Sequence, residues 1–274
     1  MRGARFAPSP TGLLHKGHAF SALTAFEAAK GRFVVRIEDI DATRCGAEFE
    51  AAIFEDLAWL GLDWETPVLR QSEHMGRYRA ALERLREAEL LYRSFETRKE
   101  VLEAMASASG GPMEGFRGRG LPAREEAARL AAGAPYAWRL DLNAAMDAAG
   151  PLSFFEAGEG PAGERGRIAV DPTAAGDVVL ARKDVGVAYH LAVVVDDAHQ
   201  EIAEAVRGQD LFEATHVQRL LQSLLGLPEP LYRHHRLILG DDARKLSKRD
   251  GALSLKALRD GGVTAGALRR ELGF

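Results

Sequence analysis

The period of apolar and polar positions changes several times along the 274 residues, and the changes mark the elements. Arg5-Phe6-Ala7 reads as a short strand end cut by Pro8 and Pro10, and the alanine-rich stretch from Gly17 to Lys30 follows as a helix. Phe33-Val34-Val35-Arg36-Ile37 is a β-branched strand bounded by Gly31. Phe49, Ile53, Phe54, Leu57 and Leu60 then recur at helical spacing up to Gly61, a helix stop. This alternation predicts a parallel sheet covered by helices. Between about Tyr92 and Gly176 the texture differs. Ser107 to Gly120 is rich in Gly and Ser, and Tyr136, Trp138, Leu140 and Leu142 alternate with polar or small residues, as in a half-buried antiparallel strand. From Asp177 strands are expected at Val178-Val179-Leu180 and Leu191 to Val195, then a helix from Leu211 to Leu225 and a strand near Leu237-Ile238-Leu239. Two short helices, Ser254 to Arg259 and Thr264 to Leu272, complete the pattern, which contains no internal repeat or heptad.

The expected fold class is therefore α/β: a parallel sheet interrupted by an inserted α+β subdomain, with a short helical C-terminal segment. The expected division is 1–91 and 177–240 for the two halves of the main domain, 92–176 for the insert, and 241–274 for a loop and the last helices. A composition of 46% hydrophobic and 28% charged residues excludes a disordered, collagen-like or disulfide-scaffold chain. No apolar run approaches the roughly 18 to 20 residues of a membrane span, and the first residues lack a signal-peptide core, so a cytoplasmic protein without membrane association is expected. Cys45 is the one cysteine and has no partner for an internal disulfide. A net charge of −4 argues against wholesale wrapping of nucleic acid and leaves room for a local basic groove.

Two segments carry chemistry. Pro8-Ser9-Pro10-Thr11-Gly12-Leu13-Leu14-His15-Lys16-Gly17-His18 lies where the first strand hands over to the first helix, the place at which doubly wound sheets bind phosphate-bearing ligands. Two histidines bracket a glycine at a helix N-terminus, where unpaired N–H groups and the helix dipole favour an anion. The second segment is Lys245-Leu246-Ser247-Lys248-Arg249, set among glycines and aspartates. The chain has only seven lysines beside 29 arginines, so two lysines bracketing Leu-Ser stand out, and lysine suits a movable charge that follows a phosphate. Taken singly, each segment also fits a solvated loop.

Together the two segments resemble the ATP-binding motifs of class I aminoacyl-tRNA synthetases. Arg5 to Gly12, Arg36-Ile37-Glu38-Asp39-Ile40-Asp41, Trp59 to Trp64 and Val194-Val195-Asp196-Asp197 narrow the resemblance to the glutamyl group. That resemblance implies a Rossmann-type catalytic core and ATP brought in with Mg²⁺. It implies ATP contacts at Pro8, Thr11, Gly12, His15, Gly17, His18, Leu237, Leu239, Lys245, Leu246, Ser247 and Lys248. His15, His18, Lys245 and Lys248 would stabilise the reacting phosphates. L-Glutamate, with two carboxylates and one ammonium, requires cationic forks and an anion. Arg5, Ser9, Glu38, Tyr189 and Arg207 resemble the family's glutamate-binding residues, with Glu38 facing the amino group and Arg207 rejecting glutamine.

Only 25 residues follow Arg249, too few for the helical anticodon-binding region that complete glutamyl-tRNA synthetases carry. The short architecture resembles the glutamyl-queuosine tRNA-Asp synthetases. This implies tRNA-independent activation of glutamate and esterification of the queuosine base in the anticodon loop of tRNA-Asp; a monomer is expected. Two alternatives stand beside this reading: a free-standing core that serves another acceptor, and a non-catalytic RNA-binding paralogue. Arg233, Arg236, Arg244, Lys245, Lys248 and Arg249 against Asp241 and Asp242, and separately Arg117, Arg119 and Arg124, are candidate phosphate-facing patches.

One departure from the resemblance is sharp. Relatives hold zinc in the insert through a Cys-x-Cys pair, whereas Tyr92-Arg93-Ser94-Phe95-Glu96 places Ser94 and Glu96 there, and no Cys or His occurs between His74 and His190. No zinc is expected, and no metal ligand is assigned. Gly158 to Gly163 matches G-x-G-x-x-G literally, but its internal proline and lack of a following helix oppose a dinucleotide site. Asp196, Asp197 and His199 are not assigned to a metal, and His234-His235 is expected to line a groove.

Overall fold

A computed structural model describes residues 3–107, 115–182, 186–239 and 253–274. In chain order its elements are β1 (Gly3–Phe6), α1 (Lys16–Ala29), β2 (Arg32–Ile37), α2 (Ala47–Trp59), β3 (Leu69–Arg70), α3 (Met75–Glu87), β4 (Leu91–Ser94), α4 (Arg98–Ser107) and α5 (Ala123–Ala131). They continue as β5 (Ala137–Leu140), α6 (Leu142–Ala149), β6 (Ser153–Glu156), β7 (Gly166–Ala169), β8 (Val179–Arg182), β9 (Gly186–Val187) and α7 (Tyr189–His199). The last are β10 (Glu204–Gly208), α8 (Phe212–Leu224), β11 (Leu231–His235), α9 (Leu255–Asp260) and α10 (Ala265–Leu272). No described helix is long and apolar enough to cross a membrane.

Seven strands form one sheet in the order β3-β2-β1-β10-β11-β6-β7, parallel except for the β6–β7 hairpin. The chain leaves β1 in one direction through β2 and β3 and returns on the other side as β10 and β11, a crossover that opens a crevice at the carboxyl ends of β1 and β10. Helix α1 covers β1 and β10 with Ala19, Ala22, Ala25, Ala28 and Ala29, all buried. Alanine allows the helix backbone to lie close to the sheet, and Leu23, Phe33, Val35, Ile37, Ile53 and Leu57 fill the surrounding core. Leu255, Leu268 and Leu272 join the same core, so α9 and α10 are packed parts of this domain. Ser254 and Thr264, the expected first residues of these helices, are their N-caps, each accepting the backbone N–H three residues on.

The second sheet is antiparallel, in the order β4-β5-β8-β9. Leu140, Leu180 and Val187 pack with Tyr78, Leu85, Leu191 and Leu221, so this sheet shares a core with α3, α7 and α8. Sheet membership divides the chain differently from residues 92 and 176. β6 and β7, inside 92–176, belong to the large sheet, whereas β8, expected to resume it at 178–180, belongs to the small one. Strand signals report alternation and do not name a partner.

Two local expectations fail. Leu191 to Val195 is the centre of helix α7, not a strand. All five of these residues are buried between α3 and α8, and an element buried all round shows no period from which to tell helix from strand. The last parallel strand is Leu231–His235, and Leu237-Ile238-Leu239 follows it as an irregular segment.

Candidate active site

The loop after β1 is tied to its neighbours through backbone. Pro8 O accepts from Glu38 N and Pro10 O from Gly46 N, both at 3.0 Å, and Ser9 O accepts from Thr11 N at 2.8 Å. The first bond extends the β1–β2 pairing and sets Ser9 and Glu38 side by side. Helix α1 then begins on a histidine cap. His15 Nδ1 accepts from Gly17 N at 3.1 Å, and His18 Nδ1 accepts from His15 N at 3.2 Å, a reciprocal box that satisfies two helix-start donors. With Nδ1 accepting, each neutral ring carries its proton on Nε2, the nitrogen on the far side from the backbone. Both histidines are thereby set as N–H donors at an anion-favouring helix end. A Cβ at Gly17 would stand 3.0 Å from the His15 ring, so glycine here keeps the cap in place.

These elements wall a cleft of about 800 Å³ at the carboxyl ends of β1, β2, β10 and β11. Of the expected residues, Arg5, Pro8, Ser9, Thr11, His15, Gly17, His18, Glu38, Tyr189, Arg207 and Leu237 line it. Gly12 and Leu239 are not among its walls, and Leu239 is 52% exposed, because the strand has already ended at His235. Lys245, Leu246, Ser247, Lys248 and Arg249 lie outside the described residues, as does Arg244. On the two sides of that segment, Ile238 lines the cleft and Ser254 forms a bridge with His15. A chamber of about 400 Å³ adjoins the cleft, sharing Ser9, Glu38, Arg44 and Tyr189 and bounded by Val179, Gly186 and Val187 of the small sheet.

The charges at the cleft are arranged unequally. Arg5 donates through Nε and Nη2 to the two oxygens of Asp197, each at 3.1 Å, and through Nη1 to Val206 O at 2.7 Å. Arg36, fully buried, donates to the same carboxylate at 2.7 Å and lies 3.4 Å from Glu38. Burial alone would raise the Asp197 carboxyl, but Arg5 and Arg36 hold it down at about 2. Burial raises Glu38 above the ordinary carboxylate range, and Arg36 and Arg5 offset only part of this. Asp196 takes hydrogen bonds from Tyr78 and Gln71, both at 2.8 Å, so the Asp196-Asp197 pair is an ion-pair anchor.

Arg207 differs. Its Nη1 donates to the amide oxygen of Gln218 at 2.5 Å and its Nη2 to the Thr215 hydroxyl at 2.8 Å, while the guanidinium lies 4.9 Å from the centre of the Tyr232 ring. Both partners are neutral, and Nε is buried without a partner. Among the described residues, Arg207 therefore offers the cleft a cation that no bonded carboxylate neutralises. Burial of His190, and after it the charge of Arg207, push that imidazole down to about 4 and keep it neutral.

His235 lines the cleft as expected, but His234 is buried and bonded to Glu156 and Thr215 behind it. Arg36, Arg44, Thr215, Gln218 and Glu156 were missed by sequence reasoning. An arginine inside an apolar strand was a signal for Arg36, whereas nothing local distinguishes the others. In the insert, Ser94 donates to Glu96 at 2.6 Å and accepts from Arg139 Nε at 2.9 Å. A guanidinium donor occupies the neighbourhood where a cation would sit, so these residues do not fit zinc. The described residues contain no group of three His, Cys, Asp or Glu side chains able to hold a metal.

A crevice beside a histidine-capped helix and an arginine pair at the ends of parallel strands defines a nucleotide-binding α/β catalytic domain. The family described as tRNA synthetases class I (E and Q), catalytic domain, matches residues 3–273, and the chain belongs to that family. The Glutamyl-Q tRNA(Asp) synthetase of Rhodobacter capsulatus is 44% identical over 98% of this chain and 99% of its own length. Glutamate--tRNA ligase 2 of a Methylobacterium species is 41% identical, and the chain spans 58% of that protein. Among solved structures, a glutamate tRNA ligase from Elizabethkingia meningosepticum in complex with its amino acid superposes with a TM-score of 0.72 at 29% identity, covering 91% of this chain and 52% of that one. The family uses ATP.

Proposed function

We propose that the protein activates L-glutamate with ATP, without tRNA, and transfers the glutamyl group to the queuosine base at the wobble position of tRNA-Asp. In the first step a glutamate carboxylate oxygen bonds to the α-phosphorus of ATP while the bond to the β-phosphate oxygen breaks and pyrophosphate leaves. In the second a hydroxyl of the modified base attacks the acyl carbon, its proton is lost, and AMP departs. His15 and His18 would donate through Nε2 to phosphate oxygens, and Lys245 and Lys248 would follow the leaving pyrophosphate. Mg²⁺ enters with ATP. Arg207 would hold a substrate carboxylate and Glu38 its ammonium, with Arg5, Ser9 and Tyr189 completing the pocket.

One observation carries the activation step: a single cleft joins the capped helix end to an un-neutralised Arg207 and a carboxylate, Glu38. The acceptor assignment is supported by the Rhodobacter capsulatus relative, which the chain covers almost end to end. The adjoining chamber, with exposed Arg44 in its lining, also supports the reading, since an unstacked nucleoside entering it would stand beside the acyl group. The test is ATP–pyrophosphate exchange with glutamate in the absence of tRNA, expected to be abolished in Lys248→Ala and His18→Ala. Transfer is then measured on tRNA-Asp with and without queuosine. Exchange that requires tRNA, or transfer indifferent to the modified base, would refute the assignment.

A further inference from the structure

Behind Arg207 a line of buried polar groups runs through four elements. Arg207 on β10, Thr215 on α8, His234 on β11 and Glu156 on β6 are 4%, 0%, 2% and 2% exposed. Arg207 Nη2 donates to Thr215 Oγ1 at 2.8 Å, Thr215 Oγ1 lies 3.1 Å from His234 Nε2, and His234 Nδ1 lies 2.5 Å from Glu156 Oε2. The other Glu156 oxygen accepts the backbone N–H groups of Gly158 at 2.7 Å and His234 at 2.9 Å.

The proton positions in this line follow from the inventory of donors. A carboxylate that already accepts two backbone N–H groups requires the proton between it and the imidazole to sit on His234 Nδ1. Nε2 is then an acceptor at 3.1 Å for the single hydroxyl proton of Thr215, for which the Leu211 carbonyl at 3.3 Å is the other, more distant acceptor. The threonine lone pairs are left facing Arg207, which has donors only. Burial, and after it the charge of Arg207, keep the imidazole neutral against the pull of Glu156 and of the Leu211 carbonyl. Gln218 holds the second guanidinium nitrogen, the guanidinium lies 4.9 Å from the centre of the Tyr232 ring, and that ring is nearly parallel to the His234 imidazole.

We propose that Thr215, oriented by the His234–Glu156 pair, is a positioning residue that fixes the Arg207 guanidinium and thereby sets selection of glutamate over glutamine. The inference rests on the reading of Arg207 as a carboxylate-binding residue. A guanidinium locked in place presents only N–H groups, which a carboxylate satisfies at both oxygens. The NH₂ of a glutamine amide meets another donor there and remains buried and unpaired. A guanidinium free to turn would lose that discrimination without losing its charge.

The experiment is steady-state ATP–pyrophosphate exchange with glutamate and with glutamine for the wild type, T215V and T215S. T215V keeps the shape and removes the acceptor. It is expected to raise KM for glutamate about tenfold and lower the glutamate-to-glutamine preference by a similar factor, with KM for ATP and kcat within about twofold. T215S, which restores a hydroxyl, is expected to recover both within about twofold. Unchanged KM and preference in T215V, or T215S as impaired as T215V, would overturn the proposal while leaving the synthetase reading intact. If T215V does not fold, E156Q and H234N decide the matter by the same KM and preference criteria. Absence of glutamate exchange in the wild type defeats the synthetase reading itself, and the proposal with it.

Discussion

Arg5 and Asp197, 192 positions apart in the chain, form a two-point pair with both N···O distances at 3.1 Å, and Asp197 takes a further bond from Arg36 at 2.7 Å. The pair joins β1 to helix α7 directly beneath the cleft. Because Arg5 is neutralised there and Arg207 is not, two arginines that look equivalent in the sequence have different electrostatic roles.

The Asp197 carboxyl is held at about 2, below its ordinary 3.8, so its stabilising contribution is complete above about pH 4 and is lost as pH falls through 2. Asp197→Asn leaves the buried Arg5 without its bonded anion and takes the nearest carboxylate from Arg36, and is expected to cost about 3–5 kcal/mol at pH 7. Denaturant unfolding measures the difference, which should narrow as pH drops from 4 toward 2.

His15 both caps α1 and faces the cleft, and substitution can separate the two roles. Asparagine is a good N-cap, so His15→Asn should unfold within about 0.5 kcal/mol of the wild type yet lose at least tenfold in exchange rate. His15→Ala should lose both activity and about 1 kcal/mol. Equal exchange rates in the wild type and His15→Asn would remove the imidazole from the chemistry.

Gly17→Ala should improve intrinsic helix propensity and still impair the enzyme. The added Cβ meets the His15 ring at 3.0 and 3.1 Å, so the imidazole must move or the helix start must shift. A fall of about tenfold or more in exchange, with little change in thermal midpoint, is the expected signature.

Glu38 has a raised carboxyl pKa because burial outweighs Arg36 and Arg5. If it binds the substrate ammonium only as the carboxylate, KM for glutamate should climb as pH is lowered, starting above the range of an ordinary glutamic acid. Glu38→Gln should bind weakly, about tenfold or worse, and should lack that acid limb. A pH–KM profile of both proteins checks this.

Asp56 is buried under α9 with neither carboxyl oxygen hydrogen-bonded and Arg259 3.7 Å away, and burial raises it to about 6. A raised carboxyl opposes folding once ionised, so stability should fall as pH rises from about 4 through 6. Asp56→Asn should abolish that slope, leaving the variant relatively more stable at pH 8 than at pH 5. Thermal midpoints at the two pH values measure it.

Local chemistry made much of the fold legible. The alanine stripe of α1, the β-branched β2, the period of α2 and α8, and the capping Ser254 and Thr264 each act through neighbours a few residues away. Helix α7 was illegible because Leu191 to Val195 is buried on every side and carries no contrast between faces. Strand β8 was legible as a strand, but its sheet was not, since hydrogen-bond partners come from elsewhere in the chain.

The candidate site divides in the same way. From the sequence alone come the histidine–glycine helix start, the paired lysines and the resemblance that selects Arg5, Ser9, Glu38, Tyr189 and Arg207, because motifs store chemistry at short range. Only the tertiary structure decides that His15 and His18 accept backbone N–H groups through Nδ1, that Arg5 is neutralised by Asp197, and that Arg207 is held by Thr215 and Gln218 with His234 and Glu156 behind. Charge compensation and tautomer depend on which groups lie within hydrogen-bond reach after folding. Residues as far apart as Glu156 and His234 become neighbours only when parallel strands β6 and β11 are laid side by side.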